Sequence, residues 1–413
     1  MKNLIPFFTI LIVFVSCKKE SADEPAPPSA PVATSLSPAS GQPETLITIS
    51  GTNFSTIANE NVVKFNGVVA AVTSASATSL IAKVPVSAGS GLVTVTTPHG
   101  TTSGISFSYI PDLYIGGIET NGTNGVGKYW KNGTSVSVTD GTKITYAYSM
   151  ALSGSDVYLA GSEQNASGIS VAKYWKNGVA TSLSDGNRVA GVYSIVIIGN
   201  DIYAAGWESN GTNDVAKYWK NGVPNALTDG TRMAIARSIF VSGNDVYVAG
   251  EEAAPNGSSE AKYWKNGVST TLSNNTNINA SAMQIAVLNN DIHIAIYAFD
   301  GTNITYQYWK NGTFTPISGA TQIDQLLVAG NDVYMAGRQS LSATYWKNGV
   351  PVLLTDGSKP AFAHSIALYG NDVYVVGNEY NGSVKIGKYW KNGVPTIFTN
   401  GSYDASPWSI IVR

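Results

Sequence analysis

Seven positions of this chain differ in residue type where everything around them repeats: Tyr148, Tyr193, Arg237, Met283, Asp324, His364 and Trp408. The first six stand eight residues before a recurrent Asp, at Asp156, Asp201, Asp245, Asp291, Asp332 and Asp372, and Trp408 comes from the C-terminal segment. Together they offer aromatic faces, a guanidinium, a carboxylate and an imidazole. Gathered in one funnel, such a set would stack on a small polar ligand and direct a few hydrogen bonds to it. The competing reading is drift at a loosely packed, solvated rim.

Signals for catalysis are poor. The chain has three His residues: His99 falls in a predicted turn, His293 replaces a strand Tyr, and His364 belongs to the set above. No His-Glu-x-x-His, paired Cys, phosphate loop or Gly-x-Ser-x-Gly occurs. No Asp-rich run has cation-loop spacing, so a structural Ca²⁺ stays open without support, and no metal site or cofactor is expected. Carboxylates assembled from separate segments for sugar hydrolysis remain the enzymatic alternative. With 13% charged residues and a net charge of −2, no basic stripe exists to attract nucleic acid.

The positioning elements follow from a repeat. Tyr-Trp-Lys-Asn-Gly occurs seven times, beginning at Tyr129, Tyr174, Tyr218, Tyr263, Tyr308, Tyr345 and Tyr389, with spacings of 45, 44, 45, 45, 37 and 44 residues. Short alternating strands at that period are the mark of propeller blades. One unit reads Ser238–Val241, a Gly243-Asn244 turn, Asp245–Gly250, a variable loop, Ala261–Lys265, the Asn266-Gly267 turn and Val268–Leu272. Asn-Gly favours a type I′ hairpin, since both residues accept positive φ. Four antiparallel strands result. The array opens at Asp112-Leu113-Tyr114 as a second strand without its first, and the chain ends at Trp408–Arg413 as a first strand without its second. Joined, the two complete a seventh blade and close the ring.

The pentapeptide aromatics are expected to pack between blades, with the Lys ammonium in water; seven sugar platforms are the alternative. The variable residues are placed just before each innermost strand, ringing one channel mouth. Longer loops after the second strands (Glu119 to Val126, Trp207 to Val215, Glu251 to Glu260, Arg338 to Ala343) share that face, and Trp207 is its extra loop aromatic, for stacking or for packing. Lys143, Arg188, Arg232 and Lys359 follow Asp140, Asp185, Asp229 and Asp356 at a spacing that suits local ion pairs, or a polyanion-binding ring.

Met1 to Ser16 reads as a signal: a basic start, then an apolar run from Leu4 to Val15, too short to span a bilayer. Cys17 is the single Cys, which leaves no disulfide to form. Phe14-Val15-Ser16-Cys17 resembles a bacterial lipoprotein signal, which implies acylation of Cys17; a plain secretory signal is the alternative. Residues 17–31, with Pro25, Pro27, Pro28 and Pro31, read as a linker of extended conformation.

Residues 32–110 hold short β-rich runs separated by turns, which suits a β-sandwich. Leu36–Gly41, Ile49–Phe54, Val63–Gly67 and Val93–Pro98 resemble the IPT/TIG family of immunoglobulin-like domains. That resemblance implies a spacer or interaction module without catalysis. Residues 111–413 resemble kelch and related propellers through the small pairs Gly116-Gly117, Ala160-Gly161 and Ala205-Gly206 at the ends of second strands, although Tyr and Trp are adjacent here and separated in kelch. The expectation is an all-β envelope protein, lipid-anchored at the outer membrane. It would bind an extracellular glycan or protein on the variable-loop face. A hydrolase or lyase at the channel mouth and a purely structural scaffold are the competing classes.

Overall fold

A computed structural model describes residues 29–272 and 278–413. The expected signal, Cys17 and residues 18–28 of the linker lie outside the described residues. The chain divides into two compact units at Ile110/Pro111.

The first unit is a β-sandwich. One sheet runs Val32–Ser37, Leu46–Thr52, Ser79–Lys83, Val72–Ala75, and the other runs Ser40–Gly41, Ile105–Tyr109, Gly91–Thr97, Val62–Phe65, Val68–Ala70. Alternation sends Ile47, Ile49, Leu80, Val63, Phe65, Val93 and Val95 inward to full burial. Phe65 and Phe107, both from the second sheet, meet edge to face at 4.9 Å within this core.

The second unit is a seven-bladed propeller. Six blades are four consecutive antiparallel strands, the fourth blade for example being Ala234–Ser242, Asp245–Ala253, Ser259–Lys265 and Val268–Thr271. The first blade joins Leu113–Thr120, Gly125–Lys131 and Thr134–Ser137 to Ala405–Val412 from the other end of the chain. There Leu113 pairs with Val412, Tyr114 with Ile411 and Ile115 with Ile410. No blade lacks its innermost strand, so the ring closes with every blade four-stranded.

Each Asn-Gly turn of the pentapeptide has both residues at positive φ, as at Asn266 (51°) and Gly267 (82°). The pentapeptide aromatics alternate across the third strand. Its Trp packs against the preceding blade, and its Tyr against the following one, so Tyr263 meets Trp309 at 5.8 Å. Trp130, Trp175, Trp219, Trp264, Trp309, Trp346 and Trp390 are at most 8% exposed, which makes them core rather than platforms.

The Lys of the pentapeptide is not simply solvated. Lys265 Nζ lies 2.8 Å from Asp245 Oδ2 and 5.2 Å from the Tyr247 ring centroid. Asn266 Nδ2 donates to Asp245 Oδ1 at 2.8 Å, and Val246 N–H donates to Asn266 Oδ1. The Lys-Asp pair and both Asn bonds recur, as at Lys220–Asp201 and Lys391–Asp372. Lys-Asn is therefore a clamp that ties the third-strand hairpin to the start of the second strand. The expected local ion pairs after the Asp-Gly turns do not form. Asp140, Asp185, Asp229 and Asp356 accept backbone N–H groups two residues on, as Asx turns, and form no ion pair with Lys143, Arg188, Arg232 or Lys359 among the described residues. A short polar side chain reaches its own turn more cheaply than it orders a long exposed partner.

The inner strands are longer than sequence indicates, and each carries a β-bulge. In the fourth blade Ala236 pairs with Gly250 and Ser238 with Ala249, leaving Arg237 unpaired. The carbonyl of Ile235 then fills the space of a side chain on Gly250, where a Cβ would lie 1.9 Å from that oxygen. Gly161, Gly206, Gly337 and Gly377 meet the same carbonyl at 1.8–2.0 Å. These glycines mark bulges rather than strand ends, and the second strand runs on for three residues beyond Gly250, to Ala253.

Gly250→Ala should therefore cost about 3 kcal/mol or more. Gly178→Ala has nothing within 4 Å and only its positive φ to oppose it, a cost of about 1–2 kcal/mol. Urea denaturation of the two variants checks this, and equal losses would refute the bulge account. The clamps also set an acid limit. Hydrogen bonds from Lys and Asn hold the carboxyls of Asp156, Asp245, Asp291, Asp332 and Asp372 below the usual carboxylate range. A depressed folded-state value gives stability that is complete above the unfolded value, about 4, and lost as pH falls through the folded one. Tm should be level from about pH 5 to 8 and drop below about 4. Asp245→Asn should melt lower at neutral pH and converge on the wild type in acid; a gap that widens in acid would contradict the clamp.

Candidate functional site at the channel mouth

All seven variable positions are bulge residues. Tyr148, Tyr193, Arg237, Met283, Asp324 and His364 are skipped by the pairing register of their inner strands, and Trp408 is skipped between Pro407 and Ser409. They lie within the innermost strands, not before them, because the bulge lets pairing resume on its far side. An unpaired residue turns its side chain out of the ladder. All seven line one cavity of about 600 Å³.

The cavity is layered. Below the mouth ring comes a polar tier, one residue on in each strand: Ser149, Ser194, Ser238, Gln284, Gln325, Ser365 and Ser409. Several of these bind the next blade through a backbone group freed by the bulge. Ile195 N–H donates to Ser149 Oγ, Ile239 N–H to Ser194 Oγ, Ile285 N–H to Ser238 Oγ and Ile410 N–H to Ser365 Oγ, at 3.1–3.3 Å. Deeper still, Val196, Phe240, Leu327 and Ile411 give an apolar wall.

Around the ring, π groups touch in an unbroken arc. Arg338 lies over Phe362 at 4.6 Å, and Phe362 stacks on His364 at 5.8 Å. His364 packs on Trp408 at 4.2 Å, Trp408 meets Tyr148 at 5.8 Å, and Tyr148 meets Tyr193 at 5.3 Å. Arg237 closes the arc over Tyr193 at 5.8 Å. The hydroxyls of Tyr148 and Tyr193 and the Trp408 indole N–H make no hydrogen bond among the described residues. Burial, and then the neighbouring Tyr193 and Tyr146, push the Tyr148 phenol up to about 12. It is a neutral hydroxyl, able both to donate and to accept.

The carboxylates at the mouth are occupied. Glu251 takes Arg237 in a fork, Nη2 to Oε1 at 2.6 Å and Nε to Oε2 at 2.7 Å, and Ser281 Oγ also donates to Oε2. Burial works against the Arg237 charge, and Glu251 more than restores it, so the guanidinium is held charged. Asp324 accepts from Gln322 Nε2 at both oxygens, each at 2.8 Å, and its Oδ2 lies 2.7 Å from His364 Nδ1. Asn378 Nδ2 donates to Ala405 O and stands 3.2 Å from His364 Nε2. With that nitrogen accepting, the ring proton sits on Nδ1, toward Asp324.

Trp207 is a strand residue rather than a loop aromatic. It belongs to Asp201–Ser209, pairs with Gly191, and is absent from the cavity lining, its indole lying along the Gly191 backbone. The loops on this face are correspondingly shorter than the sequence suggests, residues 210–213 in place of Trp207 to Val215. Glu251 and Arg338, expected only as loop starts, and Asn378 stand beside the mouth ring. Each directly follows the bulge glycine (or its counterpart Ile296 in the fifth blade), a position that varies as Ile118, Ser162, Trp207, Glu251, Tyr297, Arg338 and Asn378. Variation inside repetition, the signal of the mouth ring, marks these positions too.

Residues 31–109 match the family model described as IPT/TIG domain, which identifies the sandwich. No curated protein matches the chain. A protein of unknown function from Bacteroides thetaiotaomicron is similar in structure at 11% identity, covering 85% of this chain and 96% of its own, with a TM-score of 0.45. The β-propeller domain of the trilobed protease from Pyrococcus furiosus is similar at 8% identity, 90% and 97% coverage and a TM-score of 0.42. An auxiliary nutrient binding protein from Bacteroides thetaiotaomicron is similar at 13% identity, 79% and 85% coverage and a TM-score of 0.32.

The raised Tyr148 value has a direct readout. Ultraviolet titration of the wild type and of Tyr148→Phe should give equal phenolate absorbance up to about pH 11, diverging above it. A difference already present near the ordinary tyrosine value, about 10, would show Tyr148 to be solvated.

Proposed function

We propose that this protein is a non-catalytic envelope lipoprotein that binds an extracellular glycan at the loop-face mouth of its propeller. The observation that carries the reading is the arc of Trp408, Tyr148 and Tyr193, whose polar handles have no hydrogen-bond partner among the described residues. Sugar rings offer an apolar C–H face and flanking hydroxyls, which match aromatic faces bordered by free donors. The Ser and Gln tier beneath extends the same chemistry inward. Against the hydrolase reading, both oxygens of Glu251 and of Asp324 are engaged by fixed donors, and a general acid needs a carboxyl free to reach the glycosidic oxygen. In this reading an acylated Cys17 tethers the chain at the outer membrane, and residues 18–31 with the IPT/TIG domain act as the spacer.

A glycan array probed with the full chain in detergent micelles tests the proposal. Trp408→Ala and Tyr193→Ala should each weaken the bound glycan at least about tenfold, a loss of about 1.4 kcal/mol. Binding that survives both changes would place the site elsewhere. Hydrolysis of the bound glycan would overturn the non-catalytic assignment.

A further inference from the structure

The rim of the mouth carries a regular set of ion pairs, and one sector departs from it. In five blades a third-strand Lys meets a Glu two residues past the bulge glycine: Lys128–Glu119, Lys173–Glu163, Lys217–Glu208, Lys262–Glu252 and Lys388–Glu379. The fifth and sixth blades lack the pair. Gln307 and Thr344 stand at the Lys position, and Ala298 and Gln339 at the Glu position. The sixth blade nevertheless keeps a cation. It is Arg338, one residue earlier, and no carboxylate or hydrogen-bond acceptor reaches its guanidinium among the described residues.

Arg338 is partly buried, and its Nε is shielded from solvent without an acceptor. Phe362 supports the flat face of the guanidinium at 4.6 Å, which fixes its plane while leaving its edge donors unused. Gln339 Oε1 and Asn378 Oδ1, from the same blade and the next, are also buried without a partner. Three of the seven such atoms among the described residues therefore fall in one sector of the rim. Asp324 does not serve Arg338, because Gln322 and His364 take its oxygens. Arg338 pairs in register with Gln322, two residues to the loop side of Asp324, and it ends the π arc that runs to Trp408.

We propose that the ligand bound at the mouth bears an anionic group, a carboxylate or a sulfate ester on a sugar ring, and that this group pairs with Arg338. This rests on the glycan reading above and narrows its class. The ligand supplies at the sixth blade the anion that a Glu supplies in five others. A planar guanidinium suits a two-oxygen anion, and a neighbouring sugar then lies on the aromatic arc toward Trp408.

The test uses the full chain in detergent micelles and four probes. Oligogalacturonate is compared with its methyl ester, and carrageenan oligosaccharide with neutral agarose oligosaccharide, so that the two anions are read separately. At least one anionic probe should bind tenfold or more tighter than its neutral counterpart. Arg338→Gln should abolish that preference and leave the affinity for the neutral counterpart unchanged. Lys143→Gln, which removes an exposed charge, should preserve it. A preference that persists in Arg338→Gln, or equal binding of charged and neutral probes by the wild type, overturns the proposal. If Trp408→Ala weakens a neutral probe while Arg338→Gln changes nothing, the mouth remains the glycan site and the anion is wrong. If no glycan of either kind binds, both readings fall.

Discussion

A backbone carbonyl occupying the place of a side chain organises this propeller. In the fourth blade the Ile235 carbonyl sits where a Cβ on Gly250 would be, and four other blades repeat the contact at 1.8–2.0 Å. The first blade is looser, with the Ser406 carbonyl 2.3 Å from a Cβ on Gly117. That approach accompanies the inner-strand bulge in six blades, while the fifth has the bulge with Ile296 at the glycine position, and the bulge has two consequences. It expels one residue per blade from the ladder into the cavity. It also frees a backbone N–H two residues on, which the preceding blade takes with a Ser hydroxyl or, at Ile366, with the Gln325 amide. One local device thus builds the mouth and links neighbouring sheets around it.

Repetition and variation are divided between the two faces of the disc. Antiparallel order puts the inner hairpin turns and the Asn-Gly turns on one side, where Lys-Asn clamps hold each Asp. The bulge residues, second-strand ends and loops occupy the other. The fifth blade shows how far the scaffold tolerates change. His293 replaces the clamp Tyr and lies 2.5 Å from the Tyr308 hydroxyl through Nδ1, and Ile296 stands at the bulge-glycine position. The bulge at Met283 survives there, because Ala282 and Gln284 still straddle it. Closure by Ala405–Val412 keeps Trp408 in the ring, so the first blade contributes to the mouth although its strands come from both ends of the array.

Much of this architecture is legible in the sequence. The seven pentapeptides, the half-blades at either end and the Asn-Gly pairs imply blade number, closure and hairpin type, because each depends on local turn chemistry and counting. The seven mouth residues followed from comparing equivalent positions. Strand ends did not follow. Gly250 and its counterparts look like terminators, and only the register shows that they mark a bulge with pairing beyond it. For the same reason Trp207, Glu251 and Arg338 look like loop residues in the sequence, and nothing there marks Asn378. The Lys-Asp clamp was hidden by distance, since Lys265 and Asp245 are joined only when two hairpins align. Partners such as Ser281 for Glu251 come from an adjacent blade, and no spacing within one repeat reveals them.

The account's central claim is that the bulge residues, and not the repeated motif, make the ligand site. A crystal structure of the full chain with its array-selected glycan bound tests this most directly. The account predicts a sugar ring against Trp408 and Tyr148 inside the layered cavity, with the Lys-Asn-Gly turns on the far face bare. A glycan seated on those turns, or along the outermost strands, would contradict it.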